Sequence, residues 1–374
     1  MHYPGMLIYQ ERIRRNWSQQ GLCKGICTVS YLSKIENGKT DPSDEILRLL
    51  LERLELSVSP ALEEEARLLS ENAWEYLLTD HTQALHTCME GHPEEIYRAT
   101  RHGLDLLLLR QFTGPFQPLP SELEACMDQK QLALQRILQD RCEEAIILFP
   151  HAYCYYWAGM DAYKKGSYVA ALEHLQTCYD LAARMGAAHL MLHSRASMGN
   201  CSCNQGHLEP MERHYQAARR LALALNEDAI IAAIDYNTAS VQLEKGQYET
   251  AYQYFCSAGD ESMMHLHKLA ICCEKLGKTE EALAALEKAD AMESESPPTD
   301  LARMMCRLVL YRLRHPDYLK EEEYGELLLS CFQRLKEEMP MGFASFHLPW
   351  VQEWYAAGRQ YKKAFELLSD FLNI

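Results

Sequence analysis

"EKGQYETAYQYF", residues 244–255, is one of four versions of a single phrase. The others are "KKGSYVAALEHL" (164–175), "NQGHLEPMERHY" (204–215) and "KLGKTEEALAAL" (275–286). Their glycines, Gly166, Gly206, Gly246 and Gly277, step by 40, 40 and 31 residues. Five residues after each glycine stands Ala171, Met211, Ala251 or Ala282. Four further on stands Leu175, Tyr215, Phe255 or Leu286. A spacing of four keeps both positions on one face of a helix. The phrase therefore reads as the end of a helix A, a glycine-permitted turn, and a helix B that crosses A closely at a mostly small residue. Recurrence at this period is the sign of an α-solenoid.

The same reading extends outward from these units. "RQYKKAFELLSDFL" (359–372), with Tyr361 and Ala364 in register, predicts the B helix of a closing unit. "GHPEEIYRATRHGLDLL" from Gly91 reads as a degenerate early copy, while Pro115, Pro118, Pro120 and "ESESPPTD" (293–300) interrupt the array. No stretch alternates with a strand period, so the predicted class is all-α. Helix A of each unit lines the inner wall of such an array. The register places Tyr156, Tyr163 and Lys164 there, then Asn200 and Asn204, Tyr236, Asn237 and Ser240, and His267 and Lys275. Amide side chains hold peptide backbone whatever its sequence, and aromatic pockets select side chains, so the wall suits an extended peptide.

Upstream lies a different pattern, "SQQGLCKGICTVSYLSKIENGKTDP", residues 18–42. Leu7, Ile8, Ile13 and Trp17 mark a first helix. Ser18 is placed to cap a second, with Trp17 stapled over Leu22, and Gly25 ends it. Thr28 caps a third helix whose predicted inner face is Val29, Leu32 and Ile35, and Asn37-Gly38 stops it. Pro42 is expected at the first position of a fourth helix, which buries Ile46, Leu49, Leu50 and Leu54. Short helices joined by a tight turn form a helix-turn-helix, whose recognition helix offers its first residues to base edges. Thr28, Ser30, Tyr31, Ser33 and Lys34 then face outward for DNA, Gln19 meets a phosphate, and Asn37 and Lys39 clamp the backbone.

The string W-SQ-x-x-L-x-K-GIC-x-VSYLSKIENGK-x-x-P, over residues 5–56, resembles the lambda-repressor-like helix-turn-helix of the Xre class. Its "GIC" form is similar to that of the peptide-pheromone-sensing regulators of Firmicutes, the Rap, Rgg, NprR, PlcR and PrgX group. The turn glycine, usual at the position of Ile26, stands one residue earlier at Gly25, a shift that subgroup shares. The resemblance implies a homodimeric transcription regulator that binds an inverted-repeat operator and a short signalling peptide, with tetratricopeptide-like repeats behind the DNA-binding head. The expected domains are a head at 1–56, a helical connector at 57–79 and a repeat domain at 80–374 that binds peptide and dimerises. Peptide is expected to alter superhelix curvature, and so the spacing of two heads, through the connector. The competing expectation is a scaffold that grips a folded partner protein.

Bulk properties agree with these expectations. Of 374 residues, 48% are hydrophobic and 24% charged, a globular composition. The first 42 residues carry six basic groups against three acids, so the net −16 leaves −19 on the remainder. A basic head on an acidic body suits a head that meets a polyanion. The fourteen cysteines lack zinc-site spacing and read as reduced core fillers; no metal or cofactor is expected. The histidines are isolated and no phosphate-binding glycine loop occurs, so an enzyme is not expected. Basic residues follow the apolar ones at the N-terminus, and no apolar run reaches about 18 residues, so a cytoplasmic protein without membrane spans is expected.

Overall fold

In the computed structural model, residues 3–56, 58–259, 262–292, 297–339 and 341–372 are described. Every regular element among them is helical, and none is long and apolar enough to cross a membrane. Residues 293–296 of the second expected interruption lie outside that description. By contacts the chain divides into two compact units, Met1–Asp161 with Ala170–Arg195, and Ala162–Val169 with Ala196–Ile374.

The first unit opens with the predicted short helices: α1 (Tyr3–Arg14), α2 (Gln19–Cys23), α3 (Val29–Glu36) and α4 (Asp44–Arg53). Ser18 and Thr28 cap α2 and α3, accepting from the amides of Gly21 and Tyr31 at 3.0 and 3.2 Å. Gly25 makes the intervening turn at φ +76°, a conformation that suits glycine. Leu7, Ile8, Leu22, Leu32, Ile35, Leu50, Leu51 and Leu54 close the small core. Val29, expected inside, is 42% exposed, because the first residue of α3 lies beyond the reach of that core. Ile13 and Trp17 are also exposed, so the staple over Leu22 is not made. Helix α4 begins at Asp44 rather than Pro42, since the Ser43 hydroxyl accepts from the Ile46 amide and supplies the cap.

A buried ion pair ties this core together. Arg12 on α1 donates from Nε and Nη2 to the two carboxylate oxygens of Glu36 on α3, at 2.6 and 2.9 Å. Both residues are almost fully buried. Arg12 also donates to the Trp17 carbonyl at 2.8 Å, fixing the chain where it enters α2.

The remaining helices form antiparallel pairs: α5 (Pro60–Leu78) with α6 (Thr82–Met89), then α7 (Glu94–Tyr97) and α8 (Gly103–Arg110). Next come α9 (Gln129–Leu138) with α10 (Cys142–Leu148), α11 (Ala152–Lys164) with α12 (Tyr168–Met185), and α13 (Ala188–Asn204) with α14 (Leu208–Leu225). They continue as α15 (Asp228–Glu244) with α16 (Tyr248–Ser257), α17 (Met263–Lys275) with α18 (Thr279–Asp290), α19 (Pro297–Arg314) with α20 (Glu322–Glu338), and α21 (Met341–Ala357) with α22 (Tyr361–Leu372). The copy expected from Gly91 is only the short α7 and α8. The expected connector is α5 itself, a packed member of the first pair. Its Ala66, Leu69, Trp74 and Leu77 share one core with Tyr3 and Met6 of α1.

At the four predicted turns, Gly166, Gly206, Gly246 and Gly277 all take positive φ. The residue after each donates its amide five residues back, as Gln247 does to the Gln242 carbonyl at 2.9 Å, closing a Schellman motif. Ala171, Met211, Ala251 and Ala282 are buried at the crossings, and so are Leu175, Tyr215, Phe255 and Leu286. All fourteen cysteines are free. Burial pushes the thiols of Cys154, Cys178, Cys201, Cys272, Cys306 and Cys331 up to about 12, whereas Cys256 on α16 is exposed.

Removing one partner of a buried pair strands the other charge. Arg12→Ala should therefore lower stability by about 3 kcal/mol, while Arg15→Ala at the exposed Glu55 pair changes it by under about 1 kcal/mol. Urea denaturation of both variants measures the difference.

Candidate functional site

Two surfaces gather the residues singled out by sequence, one in each unit. In the first unit α3 presents Ser30, Lys34 and Val29 to solvent, with Thr28 at its start and Lys39 beyond its end. Ser33 is half-buried on the same helix. Three side chains expected to meet DNA are instead held by the protein. Gln19 donates its amide to Glu36 at 2.7 Å, joining the Arg12 pair. The Tyr31 hydroxyl donates to the Asp41 carbonyl at 3.3 Å, and the Asn37 amide donates to the Ser33 carbonyl at 2.6 Å. Gln19 and Tyr31 tie α3 to neighbouring segments, and Asn37 caps the end of its own helix. The outward face that remains is short, hydroxyl-bearing, apolar at one point and basic at its C-terminal end.

The second unit holds a cavity of about 270 Å³. Helices α13, α15, α17 and α21 supply most of its lining, together with Tyr163, Tyr215 and Met305. Six predicted wall residues meet there: Tyr163, Asn200, Asn204, Tyr236, Asn237 and Ser240. Asn200 is the hub, its Oδ1 accepting from the Tyr215 hydroxyl at 2.7 Å and from the Asn237 amide at 3.0 Å. Asn204 donates to the Tyr163 hydroxyl at 3.0 Å and to the Asn200 carbonyl at 2.9 Å. Gly342 permits the close approach of α21, since a Cβ there would lie 2.0 Å from Asn204 Oδ1. The amides are thus pre-oriented by one another before any ligand arrives.

Four predicted wall residues are elsewhere. Tyr156 lies in the first unit against His193, with ring centroids 6.2 Å apart. Lys164 and Lys275 are exposed at helix ends outside the lining. His267 is fully buried behind the cavity and stacks on His347, centroids 5.6 Å apart. The sequence reading missed Lys268 and the α21 residues Phe343, Phe346 and His347. Helix α21 carries no copy of the repeat phrase before it, so nothing marked it as a wall. Lys268 sat beside His267, and a one-residue error of register exchanged them. Burial lowers the Lys268 ammonium to about 8. Burial also keeps His267 well below the usual histidine range and holds His347 at about 3.

Residues 8–60 match the helix-turn-helix family model. Across 94% of this chain and the full length of its relative, the sequence is 21% identical to the transcriptional activator NprA of Geobacillus stearothermophilus. Among solved structures, a Rap protein complexed with competence and sporulation factor superposes with a TM-score of 0.54 at 14% identity, covering 83% of this chain and 97% of that one. Bacillus thuringiensis PlcR, in complex with the peptide PapR7 and DNA, matches 63% of this chain and 99% of its own with a TM-score of 0.31 and 15% identity. The Rap likeness shows a shared fold of paired helices.

Both His267 behind the cavity and His347 in its lining are neutral in the folded chain and titrate near 6.5 when unfolded. Their contribution is complete above pH 6.5. It is lost as pH falls, because the unfolded chain then binds protons that the folded chain refuses. Each such histidine costs up to about 1.4 kcal/mol per pH unit in that range. The melting temperature should drop between pH 7 and pH 5, and His347→Phe should flatten that slope; calorimetry across the interval measures it.

Proposed function

We propose that this chain is a one-component transcription regulator: α3 binds operator DNA and the cavity of the second unit takes a short signalling peptide. The observation that carries the first half is the helix-turn-helix match at residues 8–60 with the polar face of α3 open to solvent. In this reading Ser30 and Val29 meet base edges, Ser30 by hydrogen bonding and Val29 by apolar contact with a thymine methyl. Thr28, Ser33, Lys34 and Lys39 reach sugar and phosphate oxygens from the same side. Gln19, Tyr31 and Asn37 act through the pose of the helix. The similarity to an activator of transcription along nearly the whole chain supports assigning the head to gene control.

The peptide half rests on the chemistry of the cavity. Linked amides beside tyrosine rings suit an extended backbone, and about 270 Å³ is at the small end of ligand cavities, so it suits a short segment rather than a folded partner. One head makes too few phosphate contacts for useful affinity at cellular salt, so two heads pair as a homodimer and the operator is an inverted repeat. Peptide acts by preferring one of two arrangements of the dimer, since equal affinity for both would shift nothing.

Selection from a random duplex pool should return an inverted repeat with half-sites a helical turn, or a multiple of one, apart. Ser30→Ala should relax preference at one base pair by about tenfold. Lys34→Ala should weaken binding to all sequences alike and reduce the salt slope by about one. A pool returned without enrichment, or both variants binding as the parent does, overturns the assignment of α3.

A further inference from the structure

We propose that the cavity holds its peptide by a carboxylate group, received by Lys268; this rests on the peptide reading above. Lys268 lies in the middle of α17 and is only 6% exposed, yet it lines the cavity. Its ammonium sits 3.3 Å above the centre of the Phe346 ring, also in the lining. No carboxylate of the described residues lies within ion-pair distance of it. A buried ammonium over an aromatic ring, with the Glu244 carboxylate attracting it only from beyond ion-pair distance, lacks most of what it lost on leaving water, and an anion from outside supplies the remainder. Among the described residues it is the one lysine or arginine in the lining.

The polar atoms around it extend the match. The Ser240 hydroxyl has no hydrogen-bond partner among the described residues and lines the same cavity, placed to donate to a carboxylate oxygen. His347 places Nδ1 2.9 Å from the Phe343 carbonyl, which only accepts, so the neutral ring keeps its proton there. Its Nε2 is then a bare acceptor, buried and unpartnered, suited to a backbone N–H of the ligand rather than to its carboxylate. Glu244 lines the cavity too; it is more exposed than Lys268, yet burial raises its carboxyl, and the Lys268 ammonium opposes that rise. Burial holds the Lys268 ammonium at about 8, and a bound carboxylate should raise it.

The carboxylate has two possible sources, the peptide C-terminus or an aspartate or glutamate side chain. The full chain is challenged with a random pentapeptide library bearing free carboxyl termini, and with the same library amidated. Retained peptides are then read by mass spectrometry. About tenfold preferential retention of the free-acid library indicates the C-terminus. Enrichment of acidic side chains in the amidated library indicates a side chain. In either case Lys268→Met should erase the preference, Lys268→Arg should keep it, and Glu244→Gln should not abolish it. Peptides retained without any acidic preference, or with one that survives Lys268→Met, overturn the role of Lys268 and leave the peptide reading standing. No retention of any peptide by the parent chain overturns the peptide reading and this inference together. Should Lys268→Met fail to fold, the acid-to-amide ratio of the parent and of Lys268→Arg still decides.

Discussion

A single residue in the left-handed conformation, placed between two antiparallel helices, is the constraint on which the paired architecture depends. It lets the chain reverse within two residues while the last carbonyls of the first helix still find amide donors. Because the reversal is so short, the two helices must cross near their joined ends, and the crossing demands a compact buried residue there. Ala171, Ala251 and Ala282 are completely enclosed, and Met211 nearly so. The repeat phrase is therefore the local signature of one steric requirement, met four times by glycine.

That origin also explains what the sequence revealed and what it hid. Where glycine fills the left-handed site, the pair was legible. The same turn is made by Asp80 between α5 and α6, by Asp140 between α9 and α10, and by Arg359 between α21 and α22, at φ +64°, +56° and +57°. The amides of His81, Arg141 and Gln360 donate five residues back in the same way, each at 2.8 Å. A residue with a Cβ pays a conformational penalty there, and it carries no compositional mark, so nothing in the phrase pairs α5, the expected connector, with α6, or marks α21 as a wall. Among wall positions expected inside glycine-marked units, Asn200, Asn204, Tyr236, Asn237 and Ser240 meet in one cavity. Errors of one residue, such as His267 for Lys268, followed where the phrase gives no check on helical rotation.

The head presents a similar contrast. Caps, turn and inner leucines follow from local chemistry and were legible. The Arg12–Glu36–Gln19 cluster was not, because it joins residues 17 to 24 positions apart through tertiary packing. Its effect is to hold Gln19, which looks like a ligand for DNA, as a support for α3. Tyr31 ties α3 to the Asp41 carbonyl in the segment that follows it, and Asn37 caps the end of its own helix at the Ser33 carbonyl. A polar side chain on such a helix is thus ambiguous until its partners are known; Ser30 and Lys34 are exposed on α3.

The distribution of thiols has a practical corollary. With the interior sulfhydryls enclosed and reluctant to ionise, alkylating dyes should react first at Cys256, which is exposed on α16 of the unit that contains the cavity. The native chain thus offers a ready attachment point for a fluorescent reporter, with no engineered cysteine needed, from which occupancy of that unit can be followed by changes in emission.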